Sequence, residues 1–286
     1  MTTTTQTLSG VNALSRSNFL AELGSLWAVV RREWTIFRRY PSWYLAMFIW
    51  PIIFPAAYIL IARALAGPDG SGQALFMQQV GQVDFLGYIM VGTTIWMWQN
   101  VVLWNVGFSL RDEQLRGTLE SNWLSPTWRF SFLVGNSLVQ LLTMVMMMAV
   151  AYVEYRVLLH IQFHGNPGMV LLMLLVCIPS IYGMGMAFAS LVITAREAHT
   201  FVFLVRGIVM IFCGITYPIS VLPNWMQGVA KWLPQTYMIH GLRNAILAGA
   251  DLQALLPDIK MLLIFGVFWL AIGYLASQNT QKIRSI

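Results

Sequence analysis

Four stretches of this 286-residue chain carry no Asp, Glu, Lys or Arg: those between Arg39 and Arg63, Asp84 and Arg111, Arg129 and Glu154, and Lys260 and Lys282. Each holds an apolar run of about 20 residues, the length a helix needs to cross a hydrocarbon core about 30 Å thick. Residues 157–195 are equally free of charge, and a further apolar run begins near Phe201. With no water available inside a bilayer, such runs must close their backbone hydrogen bonds within helices. The pattern predicts an all-α integral membrane protein. Only 10% of the residues are charged, against about 25% in soluble domains, and nothing is left over for a separate soluble domain.

Residues 1–18 read as a disordered polar tail, and 19–286 as one transmembrane domain. No short apolar core with a small-residue cleavage site follows the start, so a signal peptide is not expected. Over 19–40, Phe19, Leu23, Leu26, Trp27, Val30, Trp34 and Phe37 recur at helical spacing, flanked by Arg31, Arg32, Arg38 and Arg39. This predicts an amphipathic helix in the cytoplasmic interface, broken from the first span at Pro41. Six spans are expected, at about 43–62, 85–110, 130–152, 169–193, 201–217 and 261–277.

Individual spans have their own signatures. Pro51 and Pro55 predict a kinked first span whose freed carbonyls need partners from neighbouring helices or water. The second span carries Thr93, Thr94, Gln99, Asn100 and Asn105 among tryptophans, giving it a polar face. In the fourth, Gly183 and Gly185 permit close helix contact. Residues 217–260, broken at Pro218, Pro223 and Pro234, are too long for a simple loop and too interrupted for a span. A re-entrant pair of short helices entering from outside is expected there.

The net charge of +6 could suggest nucleic acid, but its distribution argues for a membrane. The six spans leave Arg16, Arg31, Arg32, Arg38, Arg39, Arg111, Arg116, Arg129, Arg196, Lys282 and Arg284 on one side, eleven of the 17 Lys and Arg. The excess of positive charge on the cytoplasmic side places both termini in the cytoplasm.

Catalytic chemistry is hard to find. The three lysines follow Ala230, Ile259 and Gln281, so the Gly-Lys-Ser/Thr of a phosphate-cradling loop does not exist here. Any ATP-driven work requires a partner that binds the nucleotide. His160 and His164 have the spacing of a helical metal pair but no third ligand, and His199 and His240 have no evident partners. Cys177 and Cys213 lie in apolar runs and read as buried small residues. The methionines Met144 and Met146 to Met148 read as packing filler, and Glu154 and Arg156 as interfacial anchors. Arg206, early in an apolar helix, is either functional or snorkels to the cytoplasmic interface.

The strongest local signal is the cytoplasmic segment from Arg111 to Pro126. Charges, then Gly117-Thr118-Leu119-Glu120, then Ser125-Pro126 predict a short surface helix ended by a turn. Leu115, Leu119, Trp123 and Leu124 give it an apolar stripe suited to a groove on another protein. The pattern Glu113 … Gly117-Thr118-Leu119-Glu120 … Ser125-Pro126 resembles the first cytoplasmic loop of ABC-2 type permeases, the transmembrane subunits of type V ABC exporters. The stretch Tyr217-Pro218-Ile219 … Leu222-Pro223 … Leu233-Pro234-Gln235-Thr236-Tyr237 … Gly241-Leu242-Arg243 is similar to their outside segment before the last span. Arg31-Arg32-Glu33 … Arg38-Arg39-Tyr40-Pro41 resembles their interfacial connecting helix.

The resemblance implies a permease of the bacterial plasma membrane, itself without catalytic or cofactor-binding residues. It would work as a dimer, most simply a homodimer, with two separate ATPase subunits that bind ATP and Mg. Arg111, Glu113, Leu115, Arg116, Gly117, Glu120 and Trp123 would couple the chain to the ATPase. Thr93, Trp96, Gln99, Asn100 and Arg206 would line the translocation route, the second and fifth spans facing it. Tyr217, Pro218, Leu222, Pro234, Tyr237 and Arg243 would form an outer gate. The implied cargo is an amphiphilic drug or lipid, with a lipid-linked glycan as the alternative. A carrier or channel independent of ATP should show repeats or buried coupling charges, and a lipid-modifying enzyme a cluster of acid, base or metal ligands; the chain displays neither.

Overall fold

The computed structural model describes residues 19–65, 84–119, 130–194 and 198–283, with the isolated positions 72, 76, 78 and 121. The expected disordered tail (1–18), Glu120 and Trp123 lie outside the described residues. The rest is helical: α1 (Phe19–Arg39), α2 (Pro41–Leu65), α3 (Phe85–Leu115), α4 (Phe130–Leu158), α5 (Pro167–Thr194), α6 (Ala198–Phe212), α7 (Asn224–Ala230), α8 (Pro234–Arg243) and α9 (Leu252–Ile283). A 3-10 turn, Ile219–Val221, precedes α7, and a π turn, Asn244–Ala248, follows α8.

Four of these helices are long and apolar enough to cross a membrane: Pro41–Ile61, Ser131–Leu158, Pro167–Ile193 and Leu252–Ser277. The protein is an all-α, multi-span membrane protein. Helix α3 has 31 residues, about 46 Å at 1.5 Å per residue, but is more polar than those four. Its position explains its composition. It packs against α2, α4, α5, α6 and α8, so protein rather than lipid meets its Thr93, Gln99 and Asn100, all buried. By contrast α2 exposes Leu45, Phe48, Ile53 and Leu60, an apolar outer face that suits hydrocarbon.

Tyr40 alone separates α1 from α2, and Pro41 opens the second helix, where its missing N–H costs nothing. Within α2, Pro55 has no N–H to offer the carbonyl of Pro51. The hydroxyl of Tyr155 on α4 donates to that carbonyl at 2.9 Å and shares a 2.7 Å hydrogen bond with the hydroxyl of Thr94 on α3. The expected interhelical partner of the kink therefore exists, and it joins three helices at one point.

The close contact expected of Gly183 and Gly185 is present and serves two neighbours. A Cβ on Gly183 would lie 2.7 Å from the backbone nitrogen of Leu270 on α9, and one on Gly185 would lie 2.7 Å from Cγ1 of Val102 on α3. Ser180 adds a hydrogen bond of 2.7 Å to the carbonyl of Leu262. Helix α5 is thus clamped between α3 and α9.

Several boundaries differ from the sequence reading. Helix α6 ends at Phe212 rather than near 217 and has 15 residues, about 22 Å. It stops because Gly214 takes a left-handed conformation (φ 69°) and because the carbonyls of Gly214 and Ile215 turn to the guanidinium of Arg243. Helix α9 begins at Leu252, about two turns before the expected 261. Pro257 sits in its second turn, where losing one backbone bond near the helix start is tolerated. The interrupted region therefore shrinks to 213–251.

Candidate functional site

The C-terminal end of α3 runs on past the expected limit at 110, so Arg111, Glu113 and Leu115 are part of that helix and not of a separate surface helix. Glu113 is buried. Its Oε1 accepts from Nη2 of Arg32 on α1 at 2.6 Å, its Oε2 accepts from the Thr118 hydroxyl at 2.6 Å, and Arg116 Nη1 lies 3.8 Å away. Burial opposes ionisation of this carboxyl, but the hydrogen bonds from Thr118 and Arg32 and the two guanidinium charges outweigh it and hold its pKa below the ordinary value. Helices α1 and α3 are thereby tied at one ion pair. Arg111 bonds Gln114 at 2.8 Å.

Of the expected apolar stripe, Trp123 and Leu124 lie outside the described residues, and Leu115 and Leu119 do not share a face. Leu115 is exposed, whereas Leu119 is buried in the core, because α3 ends at Leu115 and Gly117, with φ 71°, redirects the chain. Leu115 and Gly117 remain open to a partner, and Gly117 has nothing within 4 Å of its notional Cβ.

Of the five route residues, the structure brings three together. Trp96, Asn100 and Arg206 line a cavity of about 360 Å³ whose other walls include Phe54, Trp104 and Gln140. The Arg206 guanidinium lies 5.4 Å from the Trp96 ring centre and 5.6 Å from that of Phe203. Trp96 stands fifteen residues before Arg111, about 22 Å along α3, so Arg206 packs at mid-helix depth and not at the Arg111 end. Gln99 and Thr93 look elsewhere. Gln99 donates to the Met184 sulfur on α5 at 3.9 Å, and Thr93 bonds back to the carbonyls of Ile89 and Met90 on its own helix.

The six outer-gate residues share one region, held by side chains bonding backbone. Tyr217 donates to the carbonyl of Ile211. Tyr237 donates to Lys231 O at 3.0 Å, and Thr236 to Ala230 O at 2.7 Å. Pro218 precedes the 3-10 turn and Leu222 closes it, while Pro234 opens α8. Arg243 is buried against the ring of Tyr88, 3.4 Å from its centre, and its Nη2 donates to the carbonyls of Tyr88 (3.2 Å) and Ile215 (2.9 Å). It binds α8 to the N-terminal end of α3 and to the turn after α6. Gly92 makes room: a Cβ there would be 2.2 Å from Ile215 O and 2.4 Å from Arg243 Nη2.

Sequence reasoning missed the partner of His240. Its Nδ1 lies 2.8 Å from Oδ2 of Asp258, buried at the start of α9. The hydrogen bond its ring donates to the Asp258 carboxylate raises the imidazole pKa against the opposing effects of burial and Arg243. The eighteen-residue separation crosses two turns, so no local pattern announces the pair. Cys177 and Cys213 are buried and free. Among the described residues no group of three His, Cys, Asp or Glu could hold a metal.

These elements define a class: a helical membrane protein whose polar central helix is tied at one end to α1 and at the other to the folded segment 213–251. The chain belongs to the ABC-2 type transporter family, matching it over residues 24–247. It is also similar to the linearmycin resistance permease protein LnrN of Bacillus subtilis (strain 168), at 29% identity over 109 residues, 38% of this chain and 28% of that protein. The match thus spans less than a third of that relative's length.

Proposed function

We propose that this chain is the permease subunit of an ATP-driven exporter that moves an amphiphilic, drug- or lipid-like molecule outward from the cytoplasm or inner leaflet. Separate ATPase subunits, two per complex, bind ATP and Mg, and a second permease copy completes the route. Helices α3 and α6 act as the second and fifth of six spans in the plasma membrane, with both termini cytoplasmic. Residues 213–251 enter the membrane from outside.

The observation that carries this reading is the Arg32–Glu113 tie. A force applied to the exposed turn around Leu115 and Gly117 reaches the interfacial helix and the polar helix together. Nothing in that linkage requires chemistry within the chain itself. Amphiphilic cargo is favoured over glycan because the cavity beside Trp96 is walled mostly by apolar and aromatic side chains, with few polar groups.

The test is copurification with candidate ABC ATPase subunits, followed by ATP hydrolysis and transport in nanodiscs and vesicles. A stable complex is expected, and Glu120→Arg should uncouple hydrolysis from transport while leaving the spans folded. Failure to bind any such ATPase in several mild detergents would overturn the reading, and normal transport by Glu120→Arg would overturn the coupling role of residues 111–126.

A further inference from the structure

Arg206 is held in an unusual setting. It belongs to α6, its guanidinium rests over Trp96 and Phe203, and no carboxylate pairs with it among the described residues. Its Nε is buried without an acceptor. A half-buried guanidinium at mid-helix depth, its Nε enclosed, is costly unless something meets it, because aromatic faces return only part of its lost hydration.

The cavity it faces supplies the rest of a binding site. Asn100 and Gln140 add amide groups to the wall, and the Asn100 Oδ1 has no hydrogen-bond donor. Trp43 and Trp50, each about half exposed, stand at its margin, so an apolar chain can lie between their rings. A cation among aromatic walls, with polar amides alongside and an open apolar margin, matches a molecule with one acidic head and a greasy body.

We propose that the cavity between α2, α3, α4 and α6 binds amphiphiles bearing an anionic head, the acid on Arg206 and the apolar body among the tryptophans. This rests on the permease reading for its purpose, making the site where acidic cargo is selected before release. Arg206 supplies charge neutralisation and a forked pair of donors for carboxylate or phosphate oxygens.

Binding is measured without an ATPase, on the purified full chain in phosphatidylcholine nanodiscs. The probes are 11-(dansylamino)undecanoic acid and its methyl ester, read by energy transfer from tryptophan. The acid is expected to bind about tenfold more tightly than the ester. Arg206→Gln should erase that difference by weakening the acid alone, and Arg206→Lys should restore part of it. Competition by phosphatidic acid would support the site with membrane lipid as a source of the head group. Competition by a single-chain carboxylate alone would support it with a cargo acid as the source. Equal binding of acid and ester by the wild-type chain overturns the proposal even if a variant fails to fold, as does equal loss of both probes in a folded Arg206→Gln. Because no nucleotide or ATPase enters this assay, its failure leaves the exporter reading standing.

Discussion

Replacing Tyr155 by Phe isolates what holds the proline kink of α2. The change removes one hydroxyl that donates to Pro51 O at 2.9 Å and pairs with Thr94 at 2.7 Å. Thr94 has a second acceptor, Met90 O at 2.8 Å, so it is not orphaned. Pro51 O is, because Pro55 offers it no N–H. An unpaired buried carbonyl costs about 1–3 kcal/mol, and the ring itself stays packed. The expected loss is therefore about 2 kcal/mol, read as reversible unfolding in mixed micelles. Pro55→Ala provides the control, since it returns a helical N–H to Pro51 O. In that background Tyr155→Phe should cost less than about 1 kcal/mol, giving a coupling of at least 1 kcal/mol in the double-mutant cycle. An identical cost in both backgrounds would refute the idea that Tyr155 acts by completing the proline gap.

Other consequences follow from the ties at the two ends of α3. Gly92→Ala drives a methyl into Ile215 O and the Arg243 guanidinium and should destabilise the chain by about 1–3 kcal/mol, with faster amide exchange over residues 213–222; unchanged exchange there would contradict the packing argument. Glu113→Gln should loosen α1 at neutral pH, seen as proteolysis at its arginines. Because the folded pKa of Glu113 lies below its ordinary 4.5, the wild-type tie is fully present above that value and is lost only as pH falls through the lower folded one. Equal cleavage of variant and wild type at pH 7 would sink this assignment. For His240 the sign reverses: its folded pKa lies above 6.5, so its contribution is present below 6.5 and fades as pH rises through the folded value. Protection factors of the α8 amides, which correct exchange for its intrinsic base catalysis, should therefore fall toward alkaline pH in the wild type and not in His240→Gln, and the same pH profile of protection in both would exclude the Asp258 pair as its cause.

The particular elements show how far the sequence reached. The charge gaps marked the apolar helices because the cost of placing charge in hydrocarbon acts on each residue locally, whatever the fold. The break at Pro41, the need of the Pro51–Pro55 kink for an outside partner, and the close-contact glycines of α5 were legible for the same reason: each is fixed by covalent geometry. The early end of α6 was not, because it depends on Arg243 taking carbonyls 28 and 29 residues away in sequence.

The candidate site divides along the same line. A polar stripe on α3 could be read from Thr93 to Asn100, but which of its residues share a cavity depends on rotation against α4, α5 and α6. That rotation sends Gln99 toward Met184 and Asn100 toward Arg206. Glu113 read as a surface contact and is instead enclosed by Arg32, eighty-one positions away. By itself the sequence determined that this chain enters a membrane, where its most apolar helices lie, and which family pattern it carries, since burial in lipid and backbone geometry are written residue by residue. Only the tertiary structure decided which buried polar groups satisfy one another and that Arg206 is left facing a cavity, because pairing depends on atoms brought within 3–4 Å by helices distant in the chain.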